Sequence, residues 1–163
     1  MQTAPMPADD AERVADLKAL DILDTPREER FDRITDLAAD VFGMRMCFVT
    51  LVDSDRQWFK STCGLEGVDE TPREPGFCAH AILDPDAMVV PDATKDPRFA
   101  DNPFVTGDFG LRFYAGTALR GPAGKAVGAL SLVDTEPHEF GARQVAQLKK
   151  FADLVQSELL RSH

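Results

Sequence analysis

Apolar positions along the chain follow two periods, helical at both ends and strand-like between them. From Asp10 onward, Val14, Leu17, Leu20 and Ile22 recur near helical spacing and predict a first helix. Asp24-Thr25-Pro26 reads as a stop and a restart, with Thr25 as the cap, Pro26 in the first helical position and Glu28 three residues after the cap. A second helix is expected from Pro26 to about Phe42, with the stripe Phe31, Ile34, Leu37, Ala38 and Val41 and a stop at Gly43. The period then shortens. Met46 to Val52 is almost continuously apolar, as a central strand covered on both faces should be. Asp53-Ser54-Asp55 turns it into a second strand, Arg56 to Cys63, and the two make a hairpin. Residues 64–76 read as a polar loop, Phe77 to Leu83 as a short helix and Met88 to Val90 as a short strand. Two further strands, Arg112 to Leu119 and Ala126 to Val133, are joined by the turn Gly121-Pro122-Ala123-Gly124, and a last helix covers Ala142 to Leu160. The sum is an α+β domain of antiparallel strands flanked by helices, spanning residues 10–163 behind a frayed, proline-containing end at residues 1–9.

Two segments depart from plain packing. Residues 92–110 are long, rich in turn formers and without a clear element; such segments inside small domains are usually ligand lids or mobile loops. In the last helix Val145, Leu148, Ala152, Val155 and Leu159 form a stripe that Phe151 and Leu154 widen. Either all of it packs internally, or one flank meets the sheet and the other a partner helix.

Charge and cysteine content narrow the setting. Eighteen basic and twenty-eight acidic residues leave a net charge of −10, which repels phosphate backbones and anionic lipid, so neither nucleic acid nor membrane is an expected partner. No apolar run approaches the roughly 20 residues of a membrane span, and the first residues do not read as a secretory signal. Three widely spaced cysteines, Cys47, Cys63 and Cys78, suit reduced thiols in a cytoplasm better than a disulfide framework. Phosphate-loop, dinucleotide, nucleophile-elbow and zinc-protease motifs are all missing from the sequence, which weighs against the commoner enzyme classes.

Five stretches together carry a family resemblance: Leu23 to Thr35 (LDTPREERFDRIT), Phe48 to Ser61, Thr71 to Ile82 (TPREPGFCAHAI), Val89 to Val105 with Arg112 to Arg120, and Gly128 to Pro137. In this order they resemble a GAF domain, and more narrowly the bacterial subgroup found at the front of diguanylate cyclases, histidine kinases and phosphodiesterases. The resemblance implies a five- or six-stranded antiparallel sheet with the terminal helices on one face. Short helices and loops cover the other face, where family members hold small ligands. It also implies a non-enzymatic sensory role in bacterial signal transduction and a homodimer through the terminal helices; 163 residues leave no room for an output module, so the expectation is either a stand-alone domain with a separate output protein or a piece of a longer one. A ligand-free docking domain is the alternative. A thiol-dependent reductase of free methionine sulfoxide is another, although the surroundings of these cysteines do not resemble that enzyme's. The asparagine-lysine and phenylalanine-aspartate-glutamate signature of cyclic-nucleotide-binding members is missing. No cofactor is implied.

Candidate ligand contacts are Trp58, Phe77, Cys78, His80, Arg98, Phe99, Arg112 and Tyr114. Phe77 to Ile82 belongs at the pocket by resemblance, with Cys78 and His80 in its wall. By chemistry alone, Cys78 and His80 are compatible with packing, an oxidant-sensitive thiol, a metal or a nucleophile, and the metal reading lacks further ligands at suitable spacing. Arg98 and Arg112 can meet an anionic ligand, or can pair with Asp92, Asp96 or Asp101 to hold the loop shut. Trp58, Phe99, Phe109 and Tyr114 offer an aromatic lining, whereas Phe59 reads as ordinary core. Asp53 and Asp134 each follow a strand end and are expected to cap turns.

Overall fold

A computed structural model describes residues 1–161, so the domain end expected at His163 lies outside the described residues. Helices α1 (Asp10–Ala19) and α2 (Glu29–Phe42) precede strands β1 (Met46–Val52), β2 (Arg56–Cys63) and β3 (Glu70–Pro72). Helix α3 (Phe77–Ala81), strand β4 (Ala87–Val90), a 3-10 turn (Ala93–Lys95) and helix α4 (Pro103–Thr106) follow, then β5 (Phe113–Arg120), β6 (Ala126–Asp134) and α5 (Ala142–Leu160). The six strands form one sheet in the order β3-β2-β1-β6-β5-β4, every pair antiparallel. β1 and β6 sit at its centre, and every residue of both is buried.

Side-chain alternation splits the interior into two cores, one on each face. On the first, Leu17 of α1, Phe31 and Ala38 of α2, and Leu148, Ala152 and Val155 of α5 pack on Val49, Leu51, Leu130 and Leu132. On the second, Phe77 and Ala81 of α3, with Phe99, Val105 and Leu111, cover Phe48, Phe59, Tyr114 and Val133. The sheet lies as close as it does at its centre because residue 128 is glycine: a methyl there would overlap the Thr50 carbonyl of β1.

α2 begins at Glu29 rather than at Pro26. Thr25 does not cap it; its hydroxyl donates to the Ile22 carbonyl at 2.5 Å and accepts from the Lys60 ammonium at 2.8 Å. Lys60 is fully buried, and also donates to the Pro26 carbonyl and pairs with Glu28 at 2.7 Å. A buried ammonium needs all its donors met, so the chain stays extended here to deliver those oxygens. Lys60 reaches them through a bulge in β2: Val49 faces Ser61 and Thr50 faces Phe59, which leaves Lys60 unpaired in the ladder. Gly43 ends α2 as expected, in the left-handed conformation at φ 63°. β3 forms within the segment read as a polar loop, and residues 92–110 hold the 3-10 turn and α4. Residues 1–9 lie along the second face, where the Gln2 N–H donates to the Arg98 carbonyl at 3.3 Å.

No helix among the described residues is long and apolar enough to cross a membrane.

Candidate functional site

The second face of the sheet is not packed solid. A cavity of about 220 Å³ lies between the strands and the segments over them. β1, β2, β5 and β6 contribute its floor through Phe48, Thr50, Gln57, Phe59, Tyr114, Ser131 and Val133. Its cover is α3 with Phe77 and Cys78, the loop after β2 with Leu65 and Val68, and the 92–110 segment and its end with Phe104, Phe109 and Leu111. Each floor position follows from strand parity. Phe48 and Thr50, Gln57 and Phe59, and Ser131 and Val133 are pairs two residues apart, which places both members on one face. Tyr114 lies flat across β5 because residue 116 is glycine, where any side chain would overlap its ring.

The lining is almost wholly apolar, and none of it is ionisable as an acid or base at neutral pH. Its polar groups are few and incompletely paired. The Cys78 thiol and Tyr114 hydroxyl lie 3.1 Å apart. The Gln57 amide nitrogen donates to the Thr71 hydroxyl at 3.2 Å. Thr50 Oγ1, Gln57 Oε1 and Ser131 Oγ are buried without a hydrogen bond of standard geometry, the two hydroxyls lying beside the Cys78 thiol, and all three belong to side chains that line this cavity. A buried polar atom without a partner costs on the order of 1–3 kcal/mol. These atoms are themselves covered, so the wall that the cavity presents is apolar.

Burial pushes the Cys78 thiol above its usual range, partly offset by the hydroxyls of Tyr114, Thr50 and Ser131 beside it. The thiol is therefore protonated at neutral pH, the unreactive form. Burial likewise raises Tyr114. Among the described residues, no three His, Cys, Asp or Glu side chains gather to hold a metal ion.

Of the eight candidate contacts, Phe77, Cys78 and Tyr114 line the cavity. Phe99 sits behind that wall, its ring stacked on Phe77 with centroids 4.1 Å apart. His80 turns away from Cys78; its ring meets the Phe99 edge, and its Nε2 lies 3.2 Å from the Gln2 carbonyl. Trp58 projects to the opposite face and joins the core under the terminal helices, because it alternates with Gln57 and Phe59. Arg98 donates to Asp96 at 2.8 Å and lies over the Phe99 ring, outside the cavity. Arg112 donates to the Val105 and Leu111 carbonyls, bracing the cover from outside. Phe59, expected as plain core, lines the cavity together with Phe109. Thr50, Gln57 and Ser131 were not singled out by sequence; Thr50 and Ser131 stand out only as polar residues inside apolar strands, and Gln57, in the mixed strand β2, carries no such signal. Asp53 and Asp134 cap their turns by accepting from the next N–H at 2.8 and 2.7 Å.

The rim of the cavity is tied to the N-terminal helices by charge. Arg73, close after β3, is almost fully buried and donates twice to Asp10 of α1, at 2.9 and 3.0 Å. Arg27, just before α2, donates to the Val68 carbonyl at 3.4 Å and to Asp69 at 3.3 Å. On the outer surface of the helical layer, Leu37 and Val41 of α2 and Leu154 of α5 are each more than half exposed (52%, 53% and 54%).

The family model of the GAF domain matches residues 26–159. A cyclic di-GMP phosphodiesterase of Pseudomonas aeruginosa is 39% identical over 160 residues, which are 98% of this chain and 27% of that protein. The chain thus spans about a quarter of that relative's length. Among solved structures, the GAF domain of an Acinetobacter phosphoenolpyruvate-protein phosphotransferase matches at a TM-score of 0.63 and 16% identity, over 91% of this chain and 92% of that one. A free methionine-R-sulfoxide reductase of Neisseria meningitidis matches at 0.62 and 17%, over 98% and 95%. At these identities the likeness is one of fold.

Proposed function

The chain belongs to the GAF domain family, and from that premise we propose that it is a cytoplasmic, non-enzymatic sensory domain of bacterial signal transduction. It holds a small molecule in the cavity over the sheet and reports occupancy through its helices. The observation that carries this reading is the apolar cavity of about 220 Å³ left between the sheet and the segments that cover it. A domain serving only to dock or dimerise has no use for an open interior.

The route outward follows the ion pairs. A ligand that moves the rim at Val68 and Thr71 pulls on Arg27 and Arg73, and so on the start of α2 and on α1. Leu37, Val41 and Leu154 form an apolar strip on the outer side of α2 and α5, suited to a second copy of the chain. Occupancy changes the output only if the ligand binds two arrangements of these helices with different affinity. The identity of the relative as a cyclic di-GMP phosphodiesterase suggests an output domain of that kind, carried by a longer chain or a separate protein. A thiol-dependent reductase has less support: Cys78 is the single cysteine of the lining, its thiol is protonated, and Cys47 and Cys63 belong to the core on the opposite face.

A thermal-shift screen over charged and neutral metabolites tests the reading. A ligand at 100 times its dissociation constant should stabilise the domain by about 2.7 kcal/mol. The effect should vanish in Val68→Trp, which plugs the rim. A library without one hit sensitive to Val68→Trp defeats the proposal.

A further inference from the structure

Two of the three cysteines face each other across the sheet. Cys47 and Cys63 are direct partners in the antiparallel β1–β2 ladder, at the end remote from the hairpin turn. Both side chains stand on the helical face, where Cys47 belongs to the core and Cys63 packs against it. Opposed residues of an antiparallel pair have Cα atoms about 4.5 or 5.5 Å apart, and both values fall inside the window of about 4.4–6.8 Å that a disulfide allows. Their Cβ atoms lie about 4.5–5.5 Å apart where a disulfide asks for about 3.5–4.5 Å, so closing the bond needs a strand movement of about 1 Å. Cys78 can join neither of them, because it lies in the core on the other side of the sheet.

The two thiols differ in access. Cys47 is buried, and Cys63 is partly exposed. Burial raises the Cys63 thiol above its usual range, and the Asp36 carboxylate of α2, which accepts its hydrogen, raises it further. Burial also raises Cys47, and negative charge at Cys63 adds to the effect, so the two sulfurs feel each other. Both rest as thiols at neutral pH.

We propose that Cys47 and Cys63 form a reversible dithiol–disulfide pair, closed by a small disulfide oxidant that reaches Cys63 first. With oxidised glutathione, the Cys63 thiolate attacks one sulfur; the glutathione S–S bond breaks, one half leaves as a thiolate, and the other stays on Cys63 as a mixed disulfide. Cys47 gives up its proton to the departed thiolate, attacks Cys63 Sγ and expels the second glutathione. Two protein thiols are oxidised to one disulfide, and one glutathione disulfide is reduced to two thiols. Excess reduced glutathione runs the same steps backwards. A disulfide of this kind suits an intracellular setting, where such bonds are transient rather than structural. It also sits beside the cavity rim: Thr62, next to Cys63, donates from its hydroxyl to the Leu65 carbonyl at 2.9 Å, and Leu65 lines the cavity.

Incubation of the native chain in mixtures of oxidised and reduced glutathione, followed by acid quenching, alkylation and peptide mass mapping, tests this. A peptide linking Cys47 to Cys63 should appear as the mixture becomes more oxidising and vanish when reduced glutathione is restored, while Cys78 stays unlinked to either. Cys63→Ser should leave Cys47 reduced throughout. Asp36→Asn, at an exposed position of α2, should speed closure by roughly threefold, because a tenfold gain in thiolate is partly offset by its weaker nucleophilicity. A pair that is merely packed together does not respond in this way. The proposal is overturned if Cys47 and Cys63 stay unlinked in oxidised glutathione alone, if Cys63 stops at the mixed disulfide, or if the link forms only in urea. A closing rate unchanged by Asp36→Asn also overturns it, since the attack then does not start from the Cys63 thiolate.

Discussion

Replacing Thr50 by valine is expected to stabilise the unliganded protein, although it removes a polar group from the central strand. Thr50 is fully buried in β1 and its Oγ1 makes no hydrogen bond of standard geometry. Valine keeps the branched shape, suits a strand at least as well, and exchanges the stranded hydroxyl for a methyl that belongs in an apolar cavity. A hydroxyl buried without a partner costs about 1–3 kcal/mol, and part of the gain goes to small shifts in packing, so an increase of about 1–2 kcal/mol is expected. For a chain of this size each kcal/mol moves the midpoint by about 2–4 °C, which gives a Tm rise of roughly 2–8 °C. In urea, with a slope near 2 kcal/mol/M, the midpoint should rise by about 0.5–1 M at unchanged slope. Circular dichroism melts and urea titrations of the ligand-free protein read both quantities. A Tm equal to or below that of the wild type refutes the reasoning, because it means the hydroxyl is satisfied in the folded state, by ordered water for example, and carries no stored cost.

Three other outcomes follow from the structure. Leu148→Ala, at a fully buried position where α5 meets the sheet, should cost about 2–5 kcal/mol in urea unfolding, and a loss under 1 kcal/mol would mean that α5 is not seated there. Hydrogen bonds from Arg30 and Lys60 hold the Glu28 carboxyl at about 2, below its ordinary 4.5, so its stabilisation is present above pH 4.5 and fades as the pH falls toward 2. The urea midpoint of Glu28→Gln should therefore drop less than that of the wild type over that interval, and parallel curves would contradict the assignment. Because burial raises the Cys78 thiol, alkylation by iodoacetamide at pH 8 should be roughly tenfold or more slower than for a free thiol, and a rate near that of glutathione would restore oxidant sensing at Cys78 as a candidate.

Much of the architecture was legible from period alone. Met46 to Val52 announces a central strand because a strand covered on both faces is mostly apolar, here with Thr50 as the one polar residue, and β1 occupies the centre of the sheet. α5 runs over the residues its stripe predicts, and Gly43 ends α2, because helical spacing and a left-handed stop are local properties. The start of α2 was not legible: Thr25 and Pro26 look like a cap and a first turn, but their oxygens are claimed by Lys60, a residue 35 positions from Thr25. Local signals are outcompeted whenever a buried charge must be met.

The candidate site divides along the same line. Residue chemistry and family order brought Phe77, Cys78 and Tyr114 into view, and all three reach one cavity. Strand parity decided the rest. In β2 a shift of one residue exchanges the faces, so Trp58 went to the helical core while Gln57 and Phe59 went to the cavity. Arg98 found Asp96 two residues away, and Arg112 found backbone carbonyls, contacts that depend on how the 92–110 segment folds over the sheet. Whether Thr50, Gln57 and Ser131 would be paired was beyond any reading of the chain, since a partner is a matter of distance across strands. The sequence by itself determined the family, the order of elements and the central strands, because these rest on periodicity and short motifs. Only the tertiary structure decided which side chains share the cavity and which of their polar atoms are left unmet, because both depend on the pairing of residues far apart in the chain.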